Sequence, residues 1–299
     1  MSSPKASPIL RKAVKIACVQ FASGPNKTVN LEKARAQVFT AASQGAGIVV
    51  LPECFNSPYS TTDFPTYAEV LQPDLPKEGV SPTFHALSRM AKQAGIYLIG
   101  GSIPEVEADT NKIYNTSLVF DPSGVLLGFH RKAHLFNVEF DTMVFRESDV
   151  LSPGDHITII DLPDYGKIGL GICFDIRFPE PAAIAARSGA FALIYPSAFN
   201  STTGPLHWEL LSRSRALDNQ TYVAMSSQSF KSGSGYPAWG YSMVVDPSGQ
   251  IVSSAAREEA IVYANLQDDV IQTCRRQIPL DKSRRFDLYH DVNSHISIK

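Results

Sequence analysis

The sequence lacks several features that mark particular classes of protein. Its 299 residues contain no apolar run of the ~18 residues that a membrane-spanning helix needs. Its 27 Lys and Arg against 29 Asp and Glu give a net charge of -2, without the basic excess that nucleic-acid or anionic-membrane binding leaves in the composition. We therefore expect a soluble protein whose partner is a small molecule, with neither a nucleic acid nor a membrane as partner.

Cysteine is also scarce. The chain has four, widely spaced, without a CxxC pair and without a secretory apolar segment: Cys18, Cys54, Cys173 and Cys274. This usage predicts free thiols in a reducing compartment, and we expect the cytoplasm. The first 20 residues carry four cations, and no acid precedes Glu32, so a mitochondrial presequence is the alternative to a plain N-terminal tail.

The clustered Cys and His residues of a zinc site are missing as well. The one short-range histidine pair is His130 with His134, and Lys132 lies between them. Because a positive charge between two ligands disfavours binding of a cation, we expect no metal and no other cofactor.

Apolar periodicity in the first part of the chain alternates between strand and helix. The segments "VKIACVQF" (14–21), "GIVVLPE" (47–53) and "IYLIGG" (96–101) are typical of buried strands. Helical spacing lies between them, and the second helix begins after Ser81 and ends at Gly95. Near-continuous apolar strands that alternate with helices predict an α/β fold with helices covering the sheet faces.

A repeated hairpin indicates two related halves. "NTSLVF-DPSG-VLLGFH" and "YSMVV-DPSG-QIVSSA" share the same four turn letters, and each follows a strand–helix series. No linker rich in Pro, Gly or Ser separates the halves, so we expect one core. The sequence predicts one domain over 13–290, a flexible N-terminal tail (1–12) and a C-terminal tail (291–299).

Three reactive residue types follow apolar strands: Glu53, Lys132 and Cys173. Functional residues gather where strands end in such folds. A cysteine nucleophile needs a base or a helix N-terminus to supply the thiolate, and the helix pattern "PEPAAIAA" follows Cys173. A carboxylate could move the proton, and an ammonium group could stabilise a tetrahedral oxyanion. Together the three residues favour acyl transfer from an amide.

Each residue also has a structural interpretation when it is taken alone. Cys173 could be a small core residue, Glu53 a cap or ion-pair partner, and Lys132 the solvated end of a hairpin. A Cys–His hydrolase would instead pair Cys173 with His207 or His134. A dimeric binding module that kept the fold is the non-enzymatic alternative, and it gives no chemical reason for the three residues to occur together.

The three blocks "LPECFNSPYS", "GFHRKAHLF" and "GLGICFDIRFPE" resemble the signature motifs of the nitrilase, or carbon-nitrogen hydrolase, superfamily. The similarity runs from about Lys15 to Tyr289. It implies a four-layer αββα sandwich of two pseudo-symmetric halves, and a homodimer. Within the family, "NSPYS" and "YPSAFNSTTGPLHWELLSRSRALDNQ" are most similar to the omega-amidase branch.

The resemblance assigns roles to individual residues of this chain. It implies that Cys173 is the nucleophile, Glu53 the general base and acid, and Lys132 the cation at the tetrahedral intermediate. It implies that the backbone N–H of Phe174 is an oxyanion donor, and that Glu147 helps to position the substrate.

The branch implies a substrate class: the terminal amides of α-ketoglutaramate and α-ketosuccinamate. Carboxylate recognition needs a cation or a cluster of donors, for which Arg177, Tyr59 and Thr203 are the candidates. Phe174 stands where many relatives carry Tyr, and "LFNVEFDTMVF" departs from the pattern of the branch. Deaminated glutathione or a carbamoyl amine is therefore the alternative substrate.

Overall fold

The structure is a computed structural model that describes residues 8–71, 76–140, 143–231 and 236–289. The predicted C-terminal tail, 291–299, lies outside the described residues, as do residues 1–7 of the predicted N-terminal tail.

Strands and helices alternate as the sequence predicts. The strands are β1 (Val14–Gln20), β2 (Ile48–Val50), β3 (Tyr97–Ile99), β4 (Ile103–Val106), β5 (Ile113–Phe120), β6 (Leu126–Arg131), β7 (Asn137–Phe140), β8 (Met143–Arg146), β9 (Thr158–Leu162), β10 (Gly166–Leu170), β11 (Ala190–Ser197), β12 (Tyr222–Ser227), β13 (Met243–Val245), β14 (Ile251–Ser254) and β15 (Ala260–Leu266). The helices are α1 (Lys27–Ser43), α2 (Phe64–Tyr67), α3 (Pro82–Ala94), α4 (Pro179–Arg187), α5 (Gly204–Asn219), α6 (Asp268–Gln277) and α7 (Leu280–Ser283), with 3-10 turns at Glu147–Asp149 and Cys173–Arg177.

Two large sheets carry most of the strands. In the first sheet the order is β15-β1-β2-β3-β5-β4, and β6 also pairs with β5. The second sheet has the order β14-β13-β12-β11-β10-β9, and β7 and β8 form a separate pair. The β1-β2-β3 and β10-β11-β12 pairings are parallel, whereas the hairpin strands that follow are antiparallel.

The period-two alternation of strand side chains divides the core into three layers of contact. Ile16 and Cys18 of β1 point between the two sheets, where they meet Ile168 and Ile194 of the second sheet. Intervening residues of β1 face the helices α1 and α3, whereas α4 and α5 cover the outer face of the second sheet. The order helix, sheet, sheet, helix confirms the predicted four-layer αββα sandwich.

The two predicted hairpin turns have the same hydrogen bonds. Asp121 Oδ1 accepts from Ser123 N (2.8 Å), Ser123 Oγ (2.7 Å) and Val125 N (2.9 Å). Asp246 Oδ1 accepts from Ser248 N (2.8 Å), Ser248 Oγ (2.7 Å) and Gln250 N (3.0 Å). The matching turns and strand orders confirm the two pseudo-symmetric halves.

Part of the predicted N-terminal tail contacts the fold. The backbone N–H groups of Ile9 and Leu10 donate to Asp268 Oδ1 at 2.8 and 3.0 Å, and Leu10 is buried between the sheets. Arg11 forms an ion pair with Asp161 at 2.9 Å. The buried side chain of Leu10 thus packs this segment against the fold.

No helix among the described residues combines the length and apolar character needed to cross a membrane.

Candidate active site

The three reactive residues meet at one edge of the two sheets. Glu53 lies in the turn after β2, and Lys132 directly follows β6. Cys173 comes two residues after Gly171, which follows the end of β10, and it opens the 3-10 turn Cys173–Arg177. Glu53 and Lys132 are fully buried and Cys173 is 4% exposed, so the interpretation of Lys132 as a solvated hairpin end is wrong.

Lys132 joins two carboxylates. Its Nζ lies 2.9 Å from Glu53 Oε1 and 2.9 Å from Glu147 Oε1. Its backbone is fixed as well, because Lys132 N donates to Asn115 O and Lys132 O accepts from Gly154 N, both at 2.8 Å. A buried ammonium group with two buried anionic partners has little freedom to move.

Those partners also determine its charge. Burial lowers the pKa of Lys132, but the charges of Glu147 and Glu53 outweigh burial and raise the pKa well above its ordinary value. The side chain is therefore a fixed cation inside an apolar site, where its field is stronger than in water.

Glu53 has one oxygen engaged and one available. Its Oε1 accepts from Lys132 and from Asn115 Nδ2 at 2.9 Å, and its main-chain oxygen accepts from Gln228 Nε2 at 2.8 Å. Oε2 is buried, and no described N–H or O–H group donates to it. Burial and the charge of Glu147 raise the pKa of Glu53, while Lys132 and the Cys173 thiol oppose the rise. A carboxylate in this condition is suited to exchange a proton with the thiol.

Glu147 is held by three donors. Phe136 N donates to Oε2 at 2.6 Å, whereas Tyr59 Oη (2.7 Å) and Lys132 Nζ (2.9 Å) donate to Oε1. The 3-10 turn that begins at Glu147 directs this side chain inward, where it is fully buried. Tyr59 therefore uses its proton to hold Glu147.

Cys173 adopts a left-handed backbone conformation with φ of +46°. Such a conformation is uncommon for a non-glycine residue and is found at functional turns. Burial and the charge of Glu53 raise the pKa of the Cys173 thiol well above its ordinary value, although Lys132 and a hydrogen bond from the Ala198 backbone oppose the rise. Because α4 begins only at Pro179, the expected helix N-terminus does not adjoin the sulfur. The resting group is a thiol that needs a base.

A cavity of about 570 Å³ lies beside the cluster. Tyr59 lies in its wall, and the Tyr59 ring stacks on Phe145 at 5.9 Å and approaches Tyr236 at 4.4 Å. Gln228, which holds the Glu53 main chain, and Lys231 also line it. This volume is within the range of small-molecule sites.

Arg177 and Phe174 lie on the same 3-10 turn as Cys173. The Arg177 guanidinium centre lies 5.4 Å from the Phe174 ring and 5.1 Å from the Phe199 ring, and burial lowers its pKa. Its Nε is buried without an acceptor among the described residues, which leaves this cation able to bind an anion.

Thr203 is engaged in a turn. Its hydroxyl donates to Asn200 Oδ1 at 3.0 Å, and its backbone N–H donates to the same oxygen at 2.9 Å. The expected contact of Thr203 with a substrate carboxylate stays a prediction.

The alternative Cys–His pairing has no support in the geometry. His134 Nδ1 lies 2.8 Å from Asp175 Oδ1, and His207 Nδ1 lies 3.2 Å from Arg177 Nη1. Neither ring forms a hydrogen bond with Cys173 within the described part of the chain. The same residues contain no group of three or more His, Cys, Asp or Glu placed to hold a metal ion.

Three residues of the site escaped the sequence reasoning: Asn115, Gln228 and Tyr236. Asn115 lies within β5 and Gln228 directly follows β12, so the end of a strand was a usable signal only for Gln228. None of the three lies in a motif block, because neutral hydrogen-bonding residues leave no recognisable pattern of their own.

Comparisons with known proteins match most of this chain to one family. A family model described as carbon-nitrogen hydrolase matches residues 15–276. An omega-amidase of Saccharomyces cerevisiae is 51% identical over 294 residues, which cover 97% of this chain and 99% of that protein. An omega-amidase of Mus musculus is 50% identical over 276 residues, 92% of this chain and 96% of that protein. The crystal structure of Saccharomyces cerevisiae Nit3, a member of branch 10 of the nitrilase superfamily, is 49% identical, has a TM-score of 0.87, and is matched over 94% of this chain and 100% of that chain.

Proposed function

Because the chain belongs to the carbon-nitrogen hydrolase family, and is therefore a hydrolase that acts on amides, we propose that it hydrolyses the terminal amide of small α-keto dicarboxylate monoamides. The substrates are α-ketoglutaramate and α-ketosuccinamate, and the products are the dicarboxylate and ammonia. The observation that carries the proposal is the buried Glu53–Lys132–Glu147 chain beside the neutral Cys173 thiol.

The first half of the reaction forms a thioester. Glu53 Oε2 takes the proton of Cys173, and the sulfur attacks the amide carbonyl carbon, so that the carbonyl oxygen becomes an oxyanion. The protonated Glu53 then gives that proton to the amide nitrogen. As the oxyanion collapses, the C–N bond breaks and ammonia leaves.

Water completes the cycle. Glu53 takes one proton from a water molecule while the oxygen of that water attacks the thioester carbon. The C–S bond then breaks, the acid is released, and the sulfur takes the proton back from Glu53. No other reactant is needed.

The tetrahedral oxyanion needs fixed positive charge. Lys132 Nζ supplies it, since two carboxylates hold this ammonium group in place before the substrate arrives. The backbone N–H of Phe174, next to the nucleophile, is the second donor. Glu147 positions both Lys132 and the substrate amide.

Recognition of the substrate carboxylate falls to Arg177. Its guanidinium group is half-buried on the turn that carries Cys173, and its Nε lacks an acceptor. A carboxylate that pairs with it would gain a charge-assisted hydrogen bond. Substrates without that carboxylate would leave the donor unpaired.

We also propose a homodimer that forms through α5. Leu206, Leu210 and Leu217 lie along one face of this helix and are 65%, 62% and 48% exposed. Apolar residues grouped on one surface favour a protein partner. The four free thiols fit a reducing compartment, and we propose the cytoplasm, with the mitochondrion as the alternative.

Rapid mixing with a panel of amides, followed by measurement of the intact mass and of the peptide masses after digestion, tests the proposed reaction. We expect a mass increase equal to the acyl group on the Cys173 peptide with the two keto acid amides, whether or not a chelator is present. Cys173→Ala should show neither the adduct nor ammonia release, whereas Cys274→Ala, changed on the remote helix α6, should behave as the unmodified protein. A preference for a deaminated tripeptide or a carbamoyl amine would overturn the substrate assignment, and an adduct on Cys54 would overturn the nucleophile.

A further inference from the structure

The histidine pair around Lys132 binds a carboxylate. His130 Nε2 lies 2.9 Å from Asp175 Oδ2, and His134 Nδ1 lies 2.8 Å from Asp175 Oδ1. The two histidines precede and follow Lys132 by two residues each, and Asp175 follows Cys173 by two residues. One buried carboxylate thus connects the segment that carries the ammonium group to the turn that carries the thiol.

Asp175 has all of its acceptor positions occupied. Oδ1 also accepts from the backbone N–H of His134, and Oδ2 from the backbone N–H of Ile172, both at 2.9 Å. A carboxylate has about four lone-pair positions, and here four donors fill them. Burial raises the pKa of Asp175, but hydrogen bonds from His130, His134 and Ile172 outweigh burial and hold the pKa well below its ordinary value. The group is therefore an ionised acceptor at neutral pH.

Ile172 is the residue before Cys173, so its hydrogen bond acts on the backbone where the chain turns. Cys173 has φ of +46°, a strained conformation that persists only if the surroundings impose it. A second bond closes the same turn, from Asp175 N to Ile172 O at 3.0 Å. Both bonds place Asp175 as the group that imposes the conformation of Cys173.

We propose that Asp175, hydrogen-bonded by His130 and His134, is a positioning clamp that fixes the Cys173 sulfur relative to Lys132 Nζ. The proposal rests on the proposed function, in which these two groups act on the same carbonyl. The clamp touches neither the sulfur nor the substrate. It acts through the turn Cys173–Arg177 on one side and through the end of β6 on the other.

The two histidines use different nitrogens, and this difference makes the clamp testable. Since the Asp175 carboxylate only accepts, His130 donates to it from Nε2, and the His130 Nδ1 lies 2.9 Å from Thr158 Oγ1. His134 donates from Nδ1, and its ring stacks on Phe178 with centroids 3.7 Å apart. A glutamine amide nitrogen mimics the reach of Nε2, whereas an asparagine amide nitrogen mimics that of Nδ1.

The experiment is therefore a crossed set of four variants in the full-length protein. His130→Gln and His134→Asn keep a donor at the correct reach, whereas His130→Asn and His134→Gln displace it by one methylene group. We expect the first two to stay within about threefold of the unmodified kcat, and the second two to lose at least ~10-fold in kcat, since a shift of 1 Å at a reacting group can cost as much as 10²-fold. KM should change little in all four, because the substrate contacts are intact.

A second measurement does not depend on the identity of the amide. The rate at which iodoacetamide alkylates Cys173 at one fixed pH should rise in His130→Asn and His134→Gln, because a loosened turn exposes the thiol, and should stay unchanged in the other two. If the unmodified protein hydrolyses none of the keto acid amides, the proposed substrate fails while the alkylation still tests the clamp.

Thermal melting of each variant separates folding from positioning. The clamp would be overturned if the same amide, Gln or Asn, gave the higher kcat at both positions. It would also be overturned if all four variants kept the unmodified kcat and alkylation rate. Loss of folding in His130→Gln and His134→Asn would also contradict it, because those variants retain the donors.

Discussion

At the scale of single residues, the candidate site has two carboxyl groups and only one ammonium group. Two carboxylates, Glu53 and Glu147, share the single ammonium group of Lys132, and all three are fully buried. The pKa of Glu53 is raised by burial and by Glu147, so its proton affinity moves toward that of a group that works near neutral pH. The excess of negative charge thus prepares Glu53 to accept and return a proton.

Glu53→Gln should lower kcat by at least ~10²-fold and leave KM nearly unchanged, because the change removes proton transfer and keeps the shape of the side chain. The base is the ionised form, and its pKa is raised. Activity of the unmodified protein should therefore fall as the pH drops through a value above that of an ordinary glutamate, about 4.3. Steady-state kinetics against pH measure both effects. Glu180→Gln, on the exposed surface of α4, is the matched control. If Glu53→Gln still lost activity over the same low pH range, that loss would belong to another group.

Lys132→Arg should also lose at least ~10²-fold in kcat, although the charge is kept. The compact ammonium group fits between two carboxylate oxygens, each 2.9 Å away, and a wide planar guanidinium group does not. Lys167→Arg, on the exposed face of β10, controls for the substitution itself. Ammonia release at the unmodified rate by Lys132→Arg would exclude a geometric role for the ammonium group.

At the scale of elements, the turn after β2 depends on one glycine. Gly101 has φ of +61°, and a Cβ built there would overlap the carbonyl oxygen of Pro52. Ser102 then donates from its N–H to that same oxygen at 3.3 Å, and its Oγ accepts from Cys54 N at 3.1 Å. The segment after β3 thus supports the turn that carries Glu53.

Gly101→Ala should therefore displace that turn. We expect a loss of about 1–3 kcal/mol in the free energy of unfolding, since both the positive φ and the overlap penalise a Cβ. We also expect a drop in kcat that exceeds any change in KM. Gly79→Ala is the control, because Gly79 is exposed and a Cβ there meets no atom within 4 Å. Chemical denaturation of the two variants compares them, and equal stability would refute the role of Gly101.

Local patterns predicted the elements and the reactive residues of the site, but not their supports. Each of these signals is a short local sequence pattern: the alternation of strand residues, the repeated DPSG turn, and the end of a helix at Gly95, which has φ of +66°. At the start of α1, Asn26 Oδ1 caps the helix by accepting from Val29 N at 3.1 Å, a local signal that the sequence analysis did not use. At Ser81, the predicted N-cap, the hydroxyl instead donates to the carbonyl of Val70.

The supporting residues depend on contacts between distant parts of the chain. Asn115 reaches Glu53 across 62 positions, and Gln228 reaches the same residue across 175. Strand order in the two sheets brings such partners together, and a single sequence does not reveal that order. Glu53, Lys132 and Cys173 were predicted because each follows an apolar strand and lies in a block that resembles a known motif, whereas Glu147 was predicted from the family resemblance alone.

At the scale of the whole molecule, the outer helices of the two halves differ in their surfaces. The face of α5 presents Leu206 and Leu210 to solvent, although α5 covers the second sheet as α3 covers the first. A surface of this kind fits the proposed dimer.

Leu210→Asp should convert the proposed dimer into monomers, because it would bury a charge in an apolar contact. Light scattering coupled to size-exclusion chromatography measures the mass directly. Val125→Asp is the control, since Val125 is 58% exposed at the hairpin turn of the first sheet, far from α5 in the fold. A dimer that persists in Leu210→Asp, or that dissociates in Val125→Asp, would place the interface elsewhere.

The pairing of β15 with β1 has a consequence for biosynthesis. Val14 is paired with Leu266 and Gln20 with Ala260, so one edge of β1 is completed by β15, a strand that the ribosome makes only after the rest of the two sheets. Until then the nascent chain exposes an apolar, unpaired edge of the kind that invites association with other chains. Chaperone demand should accordingly be greatest while the second half is being translated, and a stop codon before Ala260 should yield an insoluble product even though every residue of the Glu53, Lys132 and Cys173 cluster has been made.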